Sequence, residues 1–343
     1  MERLRRKVLV IGGGSFIGRH LIARLKQEDV EIRVLGRSSS FPDTSGIEYV
    51  SGDFRDPSVT QRCLDGVHAV YHLANPIGRN WEQYASEVVE PTMRVAELAA
   101  AAGVRQFFYA SSIDLYDSAY PQSKVTGTTS SDPSIIRRNH YARAKDACER
   151  SLLSIDGRNG LRVTIFRLGL TIGKGSSPAH RGVGHFSSAI KVRFWGRGDH
   201  RLPFVLVEDA VDAFVLALDN AEAAGRTLLL SAPPSLSARE YMEAVAARAY
   251  PGVSYRAHPI VLFWAEEALK ECVKTIIRHP NRRVASLHDW QCRAHRANYD
   301  PSETEQVLGW RPAGDRETLI RQGIHPAVDE FINGPRAASE MPL

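Results

Sequence analysis

The first half of the chain alternates short apolar runs with longer stretches of helical period, the rhythm of β-α-β units under a parallel sheet. Val8-Leu9-Val10-Ile11 reads as a fully buried strand, followed by glycines and a helix from about Ile17 to Gln27. Further strands are expected at Glu31 to Leu35, Ile47 to Val50 and Ala69 to Leu73. A helix from Ser86 to Ala102, with Gly103 as its C-cap, leads into a strand at Gln106 to Ala110. A polar loop from Asp117 to Asn139 precedes a helix at His140 to Leu153 and a strand at Leu161 to Arg167.

Beyond Gly173 the rhythm changes. Lys174 to His200 is rich in Gly, Ser and basic residues and is expected to be a mobile cover over a site rather than core. Phe204 to Val207 and Thr227 to Leu230 are expected to return to the first sheet. The pattern divides the chain into a sheet domain (residues 1–172 plus strands near 204–231), a smaller lobe (173–203 and 232–333) and a flexible tail (334–343). Ile260 to Val273 reads as an amphipathic helix. With Phe263 and Trp264 in it, core packing is expected rather than membrane docking, despite nearby Arg278, Arg282 and Arg283.

Composition narrows the class of function. Of 343 residues, 43% are hydrophobic and 24% charged, which excludes disorder and coiled coils. The net charge of +5 suits an anionic small ligand and gives no reason to invoke nucleic acid. Four cysteines without a C-x-x-C pair argue against a disulfide framework or a zinc ribbon, and for a reducing compartment. The apolar stretch after the basic amino end stops at three glycines after four residues, too short for a signal peptide. No run is long enough to span a bilayer, so no membrane partner is expected and the expected address is cytoplasmic.

Gly12-Gly13-Gly14-Ser15-Phe16-Ile17-Gly18 sits between a buried strand and a helix, where a dinucleotide site would have it. Gly12 permits the tight turn, Gly18 lets helix and strand approach, and amides at the helix start face a pyrophosphate. At the end of the second strand, an enzyme selective for NAD places Asp or Glu against the ribose 2′-hydroxyl. This chain has Gly36-Arg37-Ser38-Ser39, whose guanidinium and hydroxyls suit a 2′-phosphate, so NADP is expected over NAD. Together these features predict an α/β fold: a Rossmann-type doubly wound parallel sheet with a smaller, mostly C-terminal substrate lobe.

Tyr141 and Lys145 are four apart in a helical pattern and so share one face. A cation ~4 Å from the phenol, at an effective dielectric of ~20, contributes about 4 kcal/mol, or roughly three pKa units. Lys145 is therefore expected to lower the Tyr141 pKa far enough for proton exchange with a substrate oxygen near neutral pH. Ser112, just after an apolar strand, is placed to hold the same oxygen. Any long helix can carry a Tyr and a Lys at this spacing. The order of glycine turn, Ser111-Ser112 and this helix at β-α-β distances is what makes the three a catalytic set.

These motifs make the chain similar to an extended short-chain dehydrogenase/reductase of the nucleoside-diphosphate-sugar epimerase/dehydratase/reductase branch. The resemblance runs from Val8 to about Gly323. It rests on the glycine turn, Gly52-Asp53, Tyr71-His72-Leu73-Ala74, Ser111-Ser112 with Tyr116, Tyr141 with Lys145 and Glu149, and Arg167 with Gly173. Val207-Glu208-Asp209-Ala210 and Leu308-Gly309-Trp310-Arg311-Pro312 add to it. The resemblance implies Tyr141 as acid/base, Ser112 polarising the substrate oxygen, and Lys145 also binding the nicotinamide ribose. It implies Asp53 on the adenine amino group and Ala74 beside the ribose. Ser15, Phe16, Ile17, Arg37, Ser38, Phe54, Leu73 and Leu168 complete the cofactor site, and Asn75, Asp114 and Arg201 would face substrate. It also implies a homodimer paired through helices Ser86–Ala102 and His140–Leu153.

Departures matter too. Ser15 replaces the middle glycine of the turn, Leu168 stands where proline is common, and Val88 where asparagine is common. Ile113 replaces the acid that dehydratases carry, which disfavours elimination of water. His140, His180, His185 and His200 have no i, i+4 histidine partner or companion cysteine, so no metal site is expected. The leading expectation is an epimerase or ketoreductase acting by hydride transfer on a nucleotide-activated sugar. The alternatives are an NADPH-dependent reductase or dehydrogenase of a bulky apolar ketone or alcohol, steroid- or flavonoid-like, and a non-catalytic NADP-binding sensor or scaffold.

Overall fold

The computed structural model describes residues 5–39, 41, 43–76, 78–188, 191–249, 253–279 and 282–333, so the tail expected at 334–343 lies outside the described residues. The chain opens with β1 (Arg6–Ile11), α1 (Phe16–Leu25), β2 (Val30–Gly36), β3 (Ile47–Ser51), α2 (Pro57–Cys63) and β4 (Val67–His72). Next come α3 (Trp81–Tyr84), a π turn (Ala85–Val89), α4 (Glu90–Ala101), β5 (Gln106–Ser112), β6 (Lys124–Val125), α5 (His140–Leu153) and β7 (Arg162–Leu168). The middle holds β8 (Leu170–Ile172), β9 (Gly184–Ser188), β10 (Lys191–Phe194), β11 (Arg201–Leu202), β12 (Phe204–Leu206), α6 (Val207–Leu218) and β13 (Thr227–Leu230). Then follow β14 (Leu236–Ser237), α7 (Ala238–Ala249), β15 (Ser254–Arg256), α8 (Ile260–Ile276), α9 (Leu287–Cys292) and β16 (Asn298–Tyr299). Helices α10 (Ser302–Leu308), α11 (Arg316–Thr318) and α12 (His325–Asn333) finish it.

Seven parallel strands in the order β13-β7-β5-β4-β1-β2-β3 form the main sheet. The order reverses between β1 and β4, and in such sheets the crevice beyond the strand ends at the reversal is where ligands bind. Val8, Leu9, Val10 and Ile11 are fully buried, because β1 is central and covered on both faces. One apolar core fills the face under α1 and α6, and a second the face under α4 and α5. A third joins Ile113, Leu115 and Tyr116 to β8, β10, β12 and α7.

Four expectations need correction. Phe204–Leu206 pairs in parallel with Leu170–Ile172, outside the seven-stranded sheet, and Val207 already begins α6. Only Thr227–Leu230 rejoins the main sheet, beside β7. The stretch 174–200 is no loose cover: β10 pairs with β9 on one side and β15 on the other, and Val183, Val192, Phe194 and Trp195 are buried. The helix expected from Ser86 starts at Trp81, because Asn80 caps it by accepting the Gln83 N–H at 2.9 Å. In α8, Phe263 is buried as expected, but Val261, Leu262, Leu269, Val273 and Ile276 face outward.

Candidate active site

The glycine turn leaves the end of β1 with Gly12 at φ +89°. A Cβ on Gly12 would stand 2.7 Å from the Ala74 amide, and one on Gly18 would stand 2.4 Å from the Gly12 carbonyl. Both positions therefore exclude any side chain. Ser15 has a definite role: its hydroxyl accepts the Gly18 N–H at 3.1 Å and caps α1. The first-turn amides of Phe16 and Ile17 lie too early in the helix to find a helical carbonyl. Open space around Gly14, and Leu73 and Ala74 on the facing strand end, complete a cradle that fits a pyrophosphate.

At the far end of the cradle, Arg37 is exposed. The Ser38 carbonyl accepts the hydroxyls of Tyr49 (2.8 Å) and Ser51 (2.9 Å), which fixes the loop against β3. Asp53 is already engaged: Arg55 lies 2.6 Å from its carboxylate, reaches Glu87 at 2.9 Å, and holds Asp53 below the usual carboxylate range. Phe54 is buried edge-on against His72, with ring centres 5.1 Å apart. Leu168 closes β7, nearly buried.

Ser112, at the end of β5, accepts the Asp114 N–H at 3.2 Å. Helix α5 begins at His140 because Asn139 accepts the Ala142 N–H at 3.0 Å, which puts Tyr141 and Lys145 on the side facing β5. The Lys145 ammonium lies 5.7 Å from the Tyr141 ring centre and donates to the Ala110 carbonyl (2.7 Å) and Tyr109 hydroxyl (3.3 Å). Burial lowers its pKa to about 8. The expected depression of the Tyr141 pKa is reversed. Burial pushes the phenol up, the Asp114 charge adds to that, and a hydrogen bond with Ser112 opposes it. The ammonium aims at a backbone carbonyl and leaves burial dominant.

Two networks hold these groups. Glu149 on α5 accepts from the Ser111 hydroxyl and pairs with Arg167 at 2.7 Å, and the guanidinium also lies 4.7 Å from the Tyr116 ring centre. Arg138, just before α5, pairs with Asp132 (2.8 Å) and Asp289 (3.2 Å) and donates to the carbonyls of Tyr116 and Asp114, each at 2.7 Å. Asp289 also accepts the Asn139 N–H at 2.9 Å, which ties α9 to the start of α5.

Against Asp114 the structure adds a residue that sequence reasoning missed. His295 lies 3.3 Å from Asp114 and 3.1 Å from the Tyr299 hydroxyl, buried and with φ +49°. Burial lowers its pKa to about 4, and that of His180 likewise to about 4. No motif marks His295, whose partner Asp114 is remote in the chain. The Asn75 side-chain oxygen is buried with no hydrogen-bond partner among the described residues. Arg201 is exposed, its guanidinium bound to the Ser235 carbonyl.

A cavity of about 840 Å³ lies elsewhere. His140 and Arg143 line it from the side of α5 roughly 150° around from Tyr141 and Lys145. A His/Cys/Asp group also forms away from the histidines weighed above: Asp117, His288 and Cys292 gather within 4.8 Å. His288 is taken up by Asp132 at 2.8 Å, and burial pushes the Cys292 thiol up to about 12, so hydrogen bonding accounts for the cluster.

Known proteins resemble this chain in sequence and fold. A family model described as the NAD dependent epimerase/dehydratase family matches residues 8–230. The 3beta-hydroxysteroid-dehydrogenase/decarboxylase isoform 2 of Arabidopsis thaliana is 27% identical over 94% of this chain, and this chain spans only 61% of that protein. MoeE5 in complex with UDP-glucuronic acid and NAD has the same fold, at TM-score 0.68 and 22% identity over 94% of this chain and 98% of its own. So has a UDP-N-acetylglucosamine 4-epimerase from Methanobrevibacter ruminantium M1 in complex with UDP-N-acetylmuramic acid, at TM-score 0.70 and 16% identity, covering 96% and 98%. The cradle at the sheet's switch point and the match over residues 8–230 give one conclusion: the chain belongs to the NAD-dependent epimerase/dehydratase family.

Proposed function

We propose that the chain is an NADP-preferring ketoreductase or epimerase that transfers hydride at a hydroxyl-bearing carbon of a nucleotide-activated sugar. The observation that carries this reading is the polar cluster of Ser112, Tyr141, Asp114 and His295 at the end of β5. Four groups able to exchange hydrogen bonds suit a hydroxyl-rich ring better than a bare hydrocarbon. A bound nicotinamide supplies the hydride donor or acceptor.

The residues divide the remaining work. Ser112 Oγ fixes the substrate oxygen, and Tyr141 Oη exchanges a proton with it. Because burial keeps the phenol protonated in the free protein, Tyr141 is ready to act as an acid toward a carbonyl, which favours the reducing direction. Lys145 keeps a cation beside the ring, and Asn75 offers an unused acceptor.

The NADP preference is supported at the end of β2. A Cβ on Gly36 would stand 2.9 Å from the Tyr49 hydroxyl, so an acidic side chain there would have to displace that ring. Arg37 follows immediately with its guanidinium free to meet a phosphate.

A second reading, reduction of a bulky apolar ketone or alcohol, is favoured by the hydroxysteroid activity in the Arabidopsis relative's name. A thermal-shift screen of UDP-, GDP-, CDP- and dTDP-sugars with each nicotinamide cofactor separates the two. Stabilisation by a nucleotide sugar, and NADPH oxidation on adding a 4-keto sugar nucleotide, are expected. Stabilisation by a sterol ketone alone would transfer the assignment to the second reading.

A further inference from the structure

Helix α8 has two unlike faces. Phe263 points inward, its ring stacked on Trp290 at 5.3 Å and tilted against Trp195 at 4.9 Å. Opposite it, Leu262, Ala265, Leu269, Val273 and Ile276 recur at three- and four-residue intervals and all are exposed, Leu269 at 70% and Ile276 at 78%. Ile277 and Val284 extend the patch beyond the helix end. A contiguous aliphatic stripe of this kind marks an interaction surface rather than scattered exposure.

The charges say what covers it. Each acid of α8 is consumed by the fold: Glu266 by Arg193 (2.7 Å), Glu267 by Arg283 and the Trp290 N–H, and Glu271 by Lys274 (2.7 Å). Lys270, Arg278 and Arg282 are exposed and form no salt bridge among the described residues. What remains beside the apolar stripe is an excess of cations, of which Lys270 and Arg282 also line the cavity described above. A second copy of the chain, paired about a two-fold axis, would bring the same cations against these. At 17 residues, α8 is about 25 Å long, and no described helix is long and apolar enough to cross a membrane.

We infer that α8 is a membrane-docking helix, lying along an anionic bilayer with its Leu262–Ile276 stripe at the headgroup–acyl boundary and Lys270, Arg278 and Arg282 among the phosphates. The inference does not rest on the reaction proposed above. It changes where the reaction happens: the enzyme works on a membrane surface, against the sequence-based expectation of no membrane partner.

The test is co-sedimentation of the full chain with vesicles of phosphatidylcholine alone or in equal parts with phosphatidylglycerol. Most of the protein is expected to pellet with the anionic vesicles at low salt, little with the neutral ones, and less as salt rises. The double variant Leu269→Glu/Ile276→Glu should lose at least about tenfold in partitioning. Lys270→Gln/Arg278→Gln should lose binding to the anionic vesicles selectively. Both should keep the parent's circular dichroism, since all four side chains are exposed. No pelleting of the parent, or equal pelleting of parent and Leu269→Glu/Ile276→Glu, overturns the inference. So does a parent dimer that Leu269→Glu dissolves in light scattering without vesicle binding, which would make the stripe an interface between copies.

Discussion

The two ends of α5 are fixed by buried arginines that belong to different parts of the molecule. Arg167, on β7, meets Glu149 two turns beyond Tyr141, so this clamp lies within the main sheet and the helix covering it. Arg138 sits in the loop before Tyr141, and its partner Asp289 comes from α9, 151 residues further along the chain. The sheet thus sets where α5 lies, while the C-terminal segment sets how α5 begins. Tyr141 is the first-turn residue between them, so its position depends on both. A contact of such long range can couple the grip of the C-terminal segment to the placement of the acid/base.

Breaking each clamp separately should show the asymmetry. Arg138→Ala removes the guanidinium shared by two buried carboxylates but leaves Asp132 with His288 and Asp289 with Arg293, whereas Glu149→Ala leaves the buried Arg167 guanidinium without a counter-ion. Glu149→Ala is therefore expected to cost about 3–5 kcal/mol in urea unfolding, and Arg138→Ala less. At temperatures where both variants stay folded, Arg138→Ala should also depress kcat, since it frees the segment that ends in the Asn139 cap of α5, within one turn of Tyr141. Equal loss of kcat in both variants would remove the distinction between the two clamps. Tyr141→Phe keeps both clamps and removes only the hydroxyl. Substrate-dependent NADPH oxidation should fall about 10²–10⁴-fold with unfolding unchanged.

Acid tests the C-terminal side of the comparison. Burial holds His295 neutral with a pKa of about 4, below the ordinary 6.5. The unfolded chain therefore takes up a proton first. The stability held by neutral His295 is complete above pH 6.5 and is lost as pH falls toward 4, by up to about 3 kcal/mol. Asp289 follows. Burial alone would raise it, but Arg293 and Arg138 bring it down to about 2, so its share of about 2 kcal/mol is lost between pH 3.8 and 2. His295→Gln should flatten the unfolding free energy between pH 6.5 and 4 in urea titrations. An unchanged slope in that variant would show that His295 is not the group titrating.

What was legible in the sequence follows the same division. Helix α5 is read to the residue, and Ser112 falls at a strand end and Tyr141 and Lys145 in that helix, because a strand end and an i, i+4 pair are local patterns. The main sheet is read from continuous apolar runs for the same reason. His295 and Asp289 carry no local signature, since each acquires its role only from a partner more than 150 residues away. The early start of α3 is hidden because the π turn at Ala85–Val89 shifts the apolar phase. For α8, periodicity reveals an apolar face but cannot say whether protein or solvent lies against it.

The smallest expected effect lies at the adenine end of the sheet half, far from both clamps. Arg37 is exposed and pairs with no carboxylate among the described residues, and the loop that carries it is fixed by the Tyr49 and Ser51 hydroxyls on the Ser38 carbonyl. An arginine on so fixed a loop meets a 2′-phosphate without losing much loop entropy, and a charge-assisted bond of this kind is worth about 1.5–3 kcal/mol. Arg37→Ala should therefore weaken NADPH binding by about tenfold or more and leave NADH binding unchanged, both read from nicotinamide fluorescence. Stability should not move, because the side chain packs against nothing. An equal loss for the two cofactors would mean that Arg37 steadies the loop rather than reads the phosphate. NADH binding tighter than NADPH in the parent would overturn the NADP preference and leave the clamps and the triad as they are.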